Sequence, residues 1–103
     1  MKTIRHEITG VWSGPASPAG DYRRIVHREV TKDAALVEFV RQHGRILYTD
    51  GTGLFLSVRP LAKGERARPP KLGYSTLIRD CARFGVSSVA EVQAAREQQE
   101  SPA

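Results

Sequence analysis

The dipeptide Asp50-Gly51, which separates two runs of β-forming residues, constrains the fold more than any other part of this chain. Both residues tolerate positive φ, and a two-residue turn of this kind joins antiparallel strands. The flanking runs are rich in Ile, Leu, Val, Phe and Tyr, which favour strands. We therefore expect a β-hairpin with arms at 45–49 and 52–59.

The length of that turn also predicts which side chains meet across the hairpin. A two-residue turn places Leu47 opposite Leu54, so these two residues share one face. Ile46, Tyr48 and Phe55 then lie on the reverse face. Because apolar residues occupy both faces, the sequence predicts a hairpin that is covered on both sides.

Hydrophobic periodicity predicts two further strands and three helices. Strands are expected at Thr3–Val11 and Tyr22–Val30, with a loop rich in Gly, Pro and Ser at 13–21 between them. Alternation along the second strand turns Arg24 and Arg28 to one face and His27 to the other. The helices are expected at Lys32–His43, Tyr74–Phe84 and Ser88–Gln98.

Residues typical of helix ends support these helices. Thr31 is expected to cap the first helix, and Gly44 to close it in the left-handed conformation. Gly85 is expected to end the second helix in the same way. Ser88 and Glu91 have the spacing of a capping box at the start of the third.

The resulting order, β-β-α-β-β-α-α, predicts an α+β fold. We expect a small, mainly antiparallel sheet of about four strands, covered by the central helix and a C-terminal helical pair. The chain has 103 residues, which is the size of one domain. We therefore expect a single domain at 1–98 and a frayed tail at 99–103.

The composition excludes several classes of protein. Apolar residues make up 40% of the chain and charged residues 26%, which is typical of a globular protein. No apolar run is long enough for a membrane span, and the first residues lack the apolar region of a secretory signal. The single cysteine, Cys81, lies on an apolar helical stripe and is expected to be a buried, inert thiol. A soluble, cytoplasmic protein of bacterial type, without membrane contact or a cofactor, is the expectation.

Positive charge is concentrated in the first two thirds of the chain. Lys and Arg total 16 against 11 Asp and Glu, a net charge of +5. Residues 1–71 hold 13 basic and 7 acidic residues, and residues 72–103 hold 3 and 4. Any anionic partner is therefore expected to meet the region before residue 72.

Two segments of that region, 22–28 and 59–71, predict a basic binding surface for nucleic acid or an acidic protein. The predicted anion-binding residues are Arg23, Arg24, Arg28, Arg59, Lys63, Arg66, Arg68 and Lys71. Arg45 belongs to the same basic surface, and aromatic residues for base stacking are available at Trp12, Tyr22, Tyr48 and Phe55. The third helix carries one basic residue and is acidic overall, which argues against a major-groove reading helix.

Two other hypotheses accompany this one. A protein-interaction or inhibitor module, of the accessory type made by phages and plasmids, predicts an exposed apolar patch or a free strand edge. A small enzyme would use His27 as acid or base with Glu29 to orient it. His6, His27 and His43 match no compact metal-ligand spacing, so no metal site is expected. Strand order, oligomeric state and the partner stay open at this point.

Overall fold

Four strands form one antiparallel sheet in the computed structural model, which describes residues 4–15 and 22–100. In chain order the elements are β1 (His6–Pro15), β2 (Tyr22–Thr31), α1 (Ala34–Gln42), β3 (Arg45–Leu47), β4 (Gly53–Pro60), α2 (Ser75–Phe84) and α3 (Val89–Glu100). Across the sheet the strands lie in the order β2-β1-β4-β3, and each neighbouring pair is antiparallel. The α+β class and the element order are as the sequence predicts.

The pairing register decides which side chains share a face of the sheet, because Cα partners point the same way. Ile8, Leu54 and Ile46 lie on one face and are buried against the helices. We call this the helix-covered face. The opposite face holds Glu7 and Phe55, and we call it the open face.

The hydrophobic core lies between the helix-covered face and the three helices. The helical residues of the core are Leu36, Phe39, Val40, Ile78, Cys81 and Val92. Full burial of side chains of this size stabilises the fold by about 1.5–3 kcal/mol each. Cys81 is fully buried as predicted, and burial raises the pKa of its thiol to about 11.

The first hairpin extends further towards its tip than the sequence predicts. Ile4 and Arg5 precede β1, and the strand continues through residues that were expected to form a loop. Ser13 and Gly14 pair with β2, so the interstrand ladder overrides their loop tendency. The predicted start at Thr3, the rest of the predicted loop at 16–21 and the end of the chain at 101–103 lie outside the described residues.

The second hairpin turns at Asp50-Gly51 as predicted, but its register differs by one residue. The connection between β3 and β4 spans 48–52 rather than two residues. Ile46 therefore pairs with Leu54, and Leu47 does not. A shift of one residue turns each β3 side chain to the other face. Ile46 is buried in the core and Leu47 is 40% exposed, so the expected pairing and the expected cover on both faces are wrong.

Helix ends agree with the sequence in part. Asp33 caps α1, accepting hydrogen bonds from two backbone N–H groups at 3.0 and 3.2 Å, whereas the predicted cap, Thr31, still pairs with β1. His43 ends α1 with extended backbone. Gly44 does not have a positive φ, so the predicted left-handed closure at this residue is wrong. Gly85 ends α2 in the left-handed conformation, with φ 68°, as predicted.

The capping box predicted for α3 forms in part. Ser88 accepts a hydrogen bond from the Glu91 backbone N–H at 3.2 Å, as the box requires. The Glu91 carboxylate accepts from the Ser88 hydroxyl at 2.9 Å, whereas a full box would direct it to the Ser88 backbone N–H. The helix continues to Glu100, two residues beyond the predicted end.

The segment between β4 and α2, residues 61–74, passes from one side of the sheet to the other. We call it the crossing segment. The Leu61 N–H donates to the Arg5 carbonyl, beside the start of β1. Further on, Lys71 and Arg28 exchange two backbone hydrogen bonds, of 2.7 and 2.9 Å, at the outer edge of β2. The crossing segment therefore covers one end of the open face before it reaches α2.

Candidate nucleic-acid interface

The uncovered part of the open face contains a transverse row of four side chains. Val26, Val11, Phe55 and Arg45 are successive cross-strand partners from β2 to β3. Three strand spacings separate the ends of this row, so it is about 14 Å long. The two valines are half-buried, whereas Phe55 is 56% exposed and Arg45 is also exposed. An exposed aromatic ring thus stands on an interior strand of the sheet.

Gly53 makes room for Arg45 beside that ring. A Cβ atom at Gly53 would lie 3.2 Å from both Cγ and Cδ of Arg45. The aliphatic stem of Arg45 therefore lies over β4 at the position where a side chain is lacking. Leu47, the cross-strand partner of Gly53, extends the exposed apolar surface at this end.

Positive charge surrounds the apolar row. Arg24 on β2 is exposed, and Arg28, four residues further along the strand on the same face, is half-buried. The Arg28 guanidinium donates to the Pro69 carbonyl at 3.3 Å, and its Nε is buried without a partner among the described residues. Of the described strand residues on the open face, Glu7 alone is acidic. The uncovered part of this face is therefore basic.

Glu7 pairs with two of the predicted anion-binding residues at the covered end. Its carboxylate is 1% exposed and accepts hydrogen bonds from Arg59 at 3.2 Å and Arg68 at 2.7 Å. Arg59 also donates to Glu65 at 2.7 Å. Hydrogen bonds from the Arg68 side chain, together with those from its backbone and from Arg59, lower the pKa of Glu7 despite burial. Arg59 and Arg68 therefore hold the crossing segment on the sheet.

The other predicted cations are divided among several surfaces. Arg23 lies on the helix-covered side of β2, on the face opposite Arg24. Lys63, Arg66 and Lys71 are exposed on the crossing segment. The structure therefore brings Arg24 and Arg28 together on the open face with Arg45, and it does not bring the eight predicted residues into one patch.

A second basic cluster lies at the far end of the sheet. Arg5, Lys32 and Lys63 line a cavity of about 300 Å³ together with Ile4 and Leu61. The residues that line it include no acid. Arg5 and Lys32 are not among the predicted anion-binding residues. They are 27 residues apart in the chain and meet only because β1 and β2 pair.

His27 and Glu29, the residues of the enzyme hypothesis, form a buried network with Arg79 of α2. His27 is fully buried, its Nδ1 accepts the Tyr74 N–H at 3.1 Å, and its Nε2 lies 3.0 Å from Glu29. Because Nδ1 accepts, Nε2 carries the proton and donates to the carboxylate. Arg79 donates to both Glu29 oxygens, at 3.1 and 2.6 Å. Both imidazole nitrogens thus have protein partners, and the network joins β2 to the start of α2.

The pKa of Glu29 reflects the same network. Burial alone would raise the pKa of this carboxyl group. Hydrogen bonds from Arg79 and His27 outweigh burial and lower it. Glu29 is therefore a carboxylate at neutral pH, with its oxygens already engaged by the Arg79 guanidinium and the His27 imidazole.

Two of the other predicted stacking residues lie away from the open face. Trp12 is on the helix-covered face, where its indole N–H donates to Thr52 at 3.0 Å. Tyr48 follows β3 and packs against the core, and burial raises the pKa of its hydroxyl. The Tyr22 side chain lies outside the described part of the structure. Phe55 is therefore the stacking candidate that the structure places beside Arg45.

Residues 4–15 and 22–100 hold no group of three or more His, Cys, Asp or Glu side chains arranged to bind a metal ion. No helix within these ranges has both the length and the apolar character that crossing a membrane requires.

Comparison of the chain with protein-family models, curated proteins and solved structures gives no match.

Proposed function

We propose that this protein is a non-enzymatic binding module that receives nucleic acid on the open face of its sheet. The observation that carries the proposal is the exposed Phe55 in the middle of the sheet, flanked by Arg45 on β3 and Arg24 on β2. Aromatic rings and arginines on a solvent-facing sheet supply stacking and phosphate contacts together. The net charge of +5 favours the approach of a polyanion.

The charge of the open face argues against its use as a contact between two copies of this chain. Two such faces brought together would place arginines of one copy against arginines of the other. Like charges in a desolvated contact are repulsive. A negatively charged partner has the opposite effect, because it neutralises Arg24 and Arg45.

Neutralising those two arginines tests the proposal. Arg24→Gln with Arg45→Gln should weaken binding of a labelled oligonucleotide at least about fivefold in about 50 mM salt. The slope of log affinity against log salt should fall by roughly 0.7 for each lost phosphate contact to a single strand. Fluorescence anisotropy at several salt concentrations measures both quantities.

The matched control changes two cations of the second basic cluster. Lys32→Gln with Lys63→Gln removes the same charge from the far end of the sheet, and its affinity should stay within about twofold of the unmodified protein. Equal loss of affinity in both double variants would contradict the assignment to the open face. Absence of binding to any DNA or RNA at low salt would contradict the proposed function itself.

An acidic protein is the second candidate partner. The exposed Phe55 and Leu47 form the apolar patch that the protein-interaction hypothesis requires. A cationic and apolar face of this kind also fits an acidic protein that presents an apolar anchor. Competition separates the two candidates, because poly-glutamate should displace a bound acidic protein and should leave a bound oligonucleotide largely in place.

A further inference from the structure

We infer that the nucleic acid bound here is single-stranded and that one of its bases stacks on Phe55. This inference rests on the proposed function and specifies its ligand. Phe55 lies on β4, which is an interior strand, so its ring is presented from a rigid part of the sheet. With 56% of its surface exposed, the ring is accessible to a planar group.

The neighbours of Phe55 support the ring without covering it. Val11 and Arg45 are its direct cross-strand partners, one on each side. Val11 is half-buried and therefore stands lower in the surface. The Arg45 stem is displaced over Gly53, so the space above the ring stays open. A base can reach the ring face while its phosphate meets the guanidinium of Arg45.

Arg24 gives the bound strand a direction across the sheet. Arg24 lies on β2, and Phe55 lies on β4, two strand spacings away. The two strands are therefore about 10 Å apart. A nucleic-acid strand that meets Arg45 on β3, stacks on Phe55 and reaches Arg24 on β2 crosses β4 and β1. Half-buried Val11 and Val26 provide the apolar floor between the two arginines.

A duplex does not fit this arrangement. The bases of a duplex are stacked on one another, so they offer a protein their edges in the grooves and not their faces. Double-stranded DNA is commonly read by a helix that enters the major groove. Here all three helices lie on the opposite side of the sheet from Phe55. A sheet face that presents an exposed aromatic ring therefore favours an unpaired base.

The experiment compares ligands and a single substitution. Fluorescein-labelled rU and dT oligonucleotides of about 12 nucleotides, and a duplex of the same length, are titrated with the full chain at one salt concentration. Phe55→Ala should weaken binding of both single strands at least about fivefold, because loss of one stacked base has an effect of that size. Leu72→Ala is the matched control, since Leu72 is 62% exposed and lies on the crossing segment. Thermal unfolding confirms that both variants are folded.

Tighter binding of single strands than of the duplex, with loss in Phe55→Ala and little change in Leu72→Ala, supports the inference. Equal affinity for duplex and single strand would overturn it. Unchanged affinity in Phe55→Ala would also overturn the inference. If the double variant Arg24→Gln with Arg45→Gln still binds weakly in that case, the proposed function stays in place. Displacement of the oligonucleotide by poly-glutamate at equal charge concentration would overturn it in favour of an acidic protein.

Discussion

At the scale of single residues, two buried carboxylates organise the polar contacts of this protein. Glu7 binds Arg59 and Arg68 on the open face, and Glu29 binds Arg79 and the His27 imidazole on the helix-covered face. Each carboxylate joins segments that are far apart in the chain. Breaking such a buried pair leaves a charge without a partner, which is strongly destabilising.

The lowered pKa of Glu7 predicts a loss of stability in acid. In the folded protein this pKa lies below its usual value of 4.5, so the ionised carboxylate stabilises the fold above that pH. The contribution is lost as pH falls through the folded pKa. The free energy of unfolding should therefore decrease as the pH falls below about 4.5, as measured by urea unfolding.

Glu7→Gln should be less stable than the unmodified protein at neutral pH and should show a shallower decrease in acid. Glu38→Gln is the control, because Glu38 is exposed on α1. An unchanged acid slope in Glu7→Gln would show that this carboxylate does not contribute as inferred.

The candidate site shows what the sequence could and could not predict about these residues. Charge segregation pointed to the first two thirds of the chain, where the proposed interface lies, and Phe55 and Arg45 were both among the candidates. The sequence could not indicate that Arg59 and Arg68 share the buried Glu7, because the contacts join residues 52 and 61 positions apart. Long-range ion pairs of this kind depend on the path of the crossing segment.

At the scale of elements, local signals predicted the type of every strand and helix, while tertiary pairing decided their limits. Ser13 and Gly14 have the composition of a loop, yet β2 recruits them into β1. Asp50-Gly51 marks the second hairpin, yet the longer connection moves Ile46 into the core. The turn residues identify where a hairpin reverses. The register is decided by which apolar side chains become buried together, here Ile46 and Leu54.

Gly14 provides a test at this scale, because it determines how the N-terminal hairpin packs. A Cβ atom at this position would lie 2.6 Å from Cζ2 of Trp12. The indole ring therefore lies over the glycine, and Gly14→Ala should displace it. We expect a loss of about 1–3 kcal/mol in the free energy of unfolding, with a change in the emission of Trp12, the single tryptophan.

Gly44→Ala is the control for this substitution, since a Cβ atom there would contact nothing within 4 Å. It should leave both the emission and the free energy of unfolding close to those of the unmodified protein. Unaltered emission and stability in Gly14→Ala would contradict the described position of the indole.

At the scale of the whole molecule, the sheet has two different faces. The helices cover one face and form the core with it. On the other face the crossing segment covers one end, and Phe55, Leu47, Arg24 and Arg45 are exposed on the remainder. The buried His27 network lies on the helix-covered side, and the proposed ligand would meet the exposed part of the other side.

Methyl NMR during titration with a single-stranded oligonucleotide reports which face of the sheet the ligand contacts, because methyl groups on the two faces can be distinguished. The proposed interface predicts that signals of Val11, Val26 and Leu47 shift in proportion to bound ligand, while those of Ile8 and Leu54 on the helix-covered face stay in place. Shifts confined to the helix-covered face or the helices would contradict it, as would an unchanged spectrum at saturating oligonucleotide in low salt.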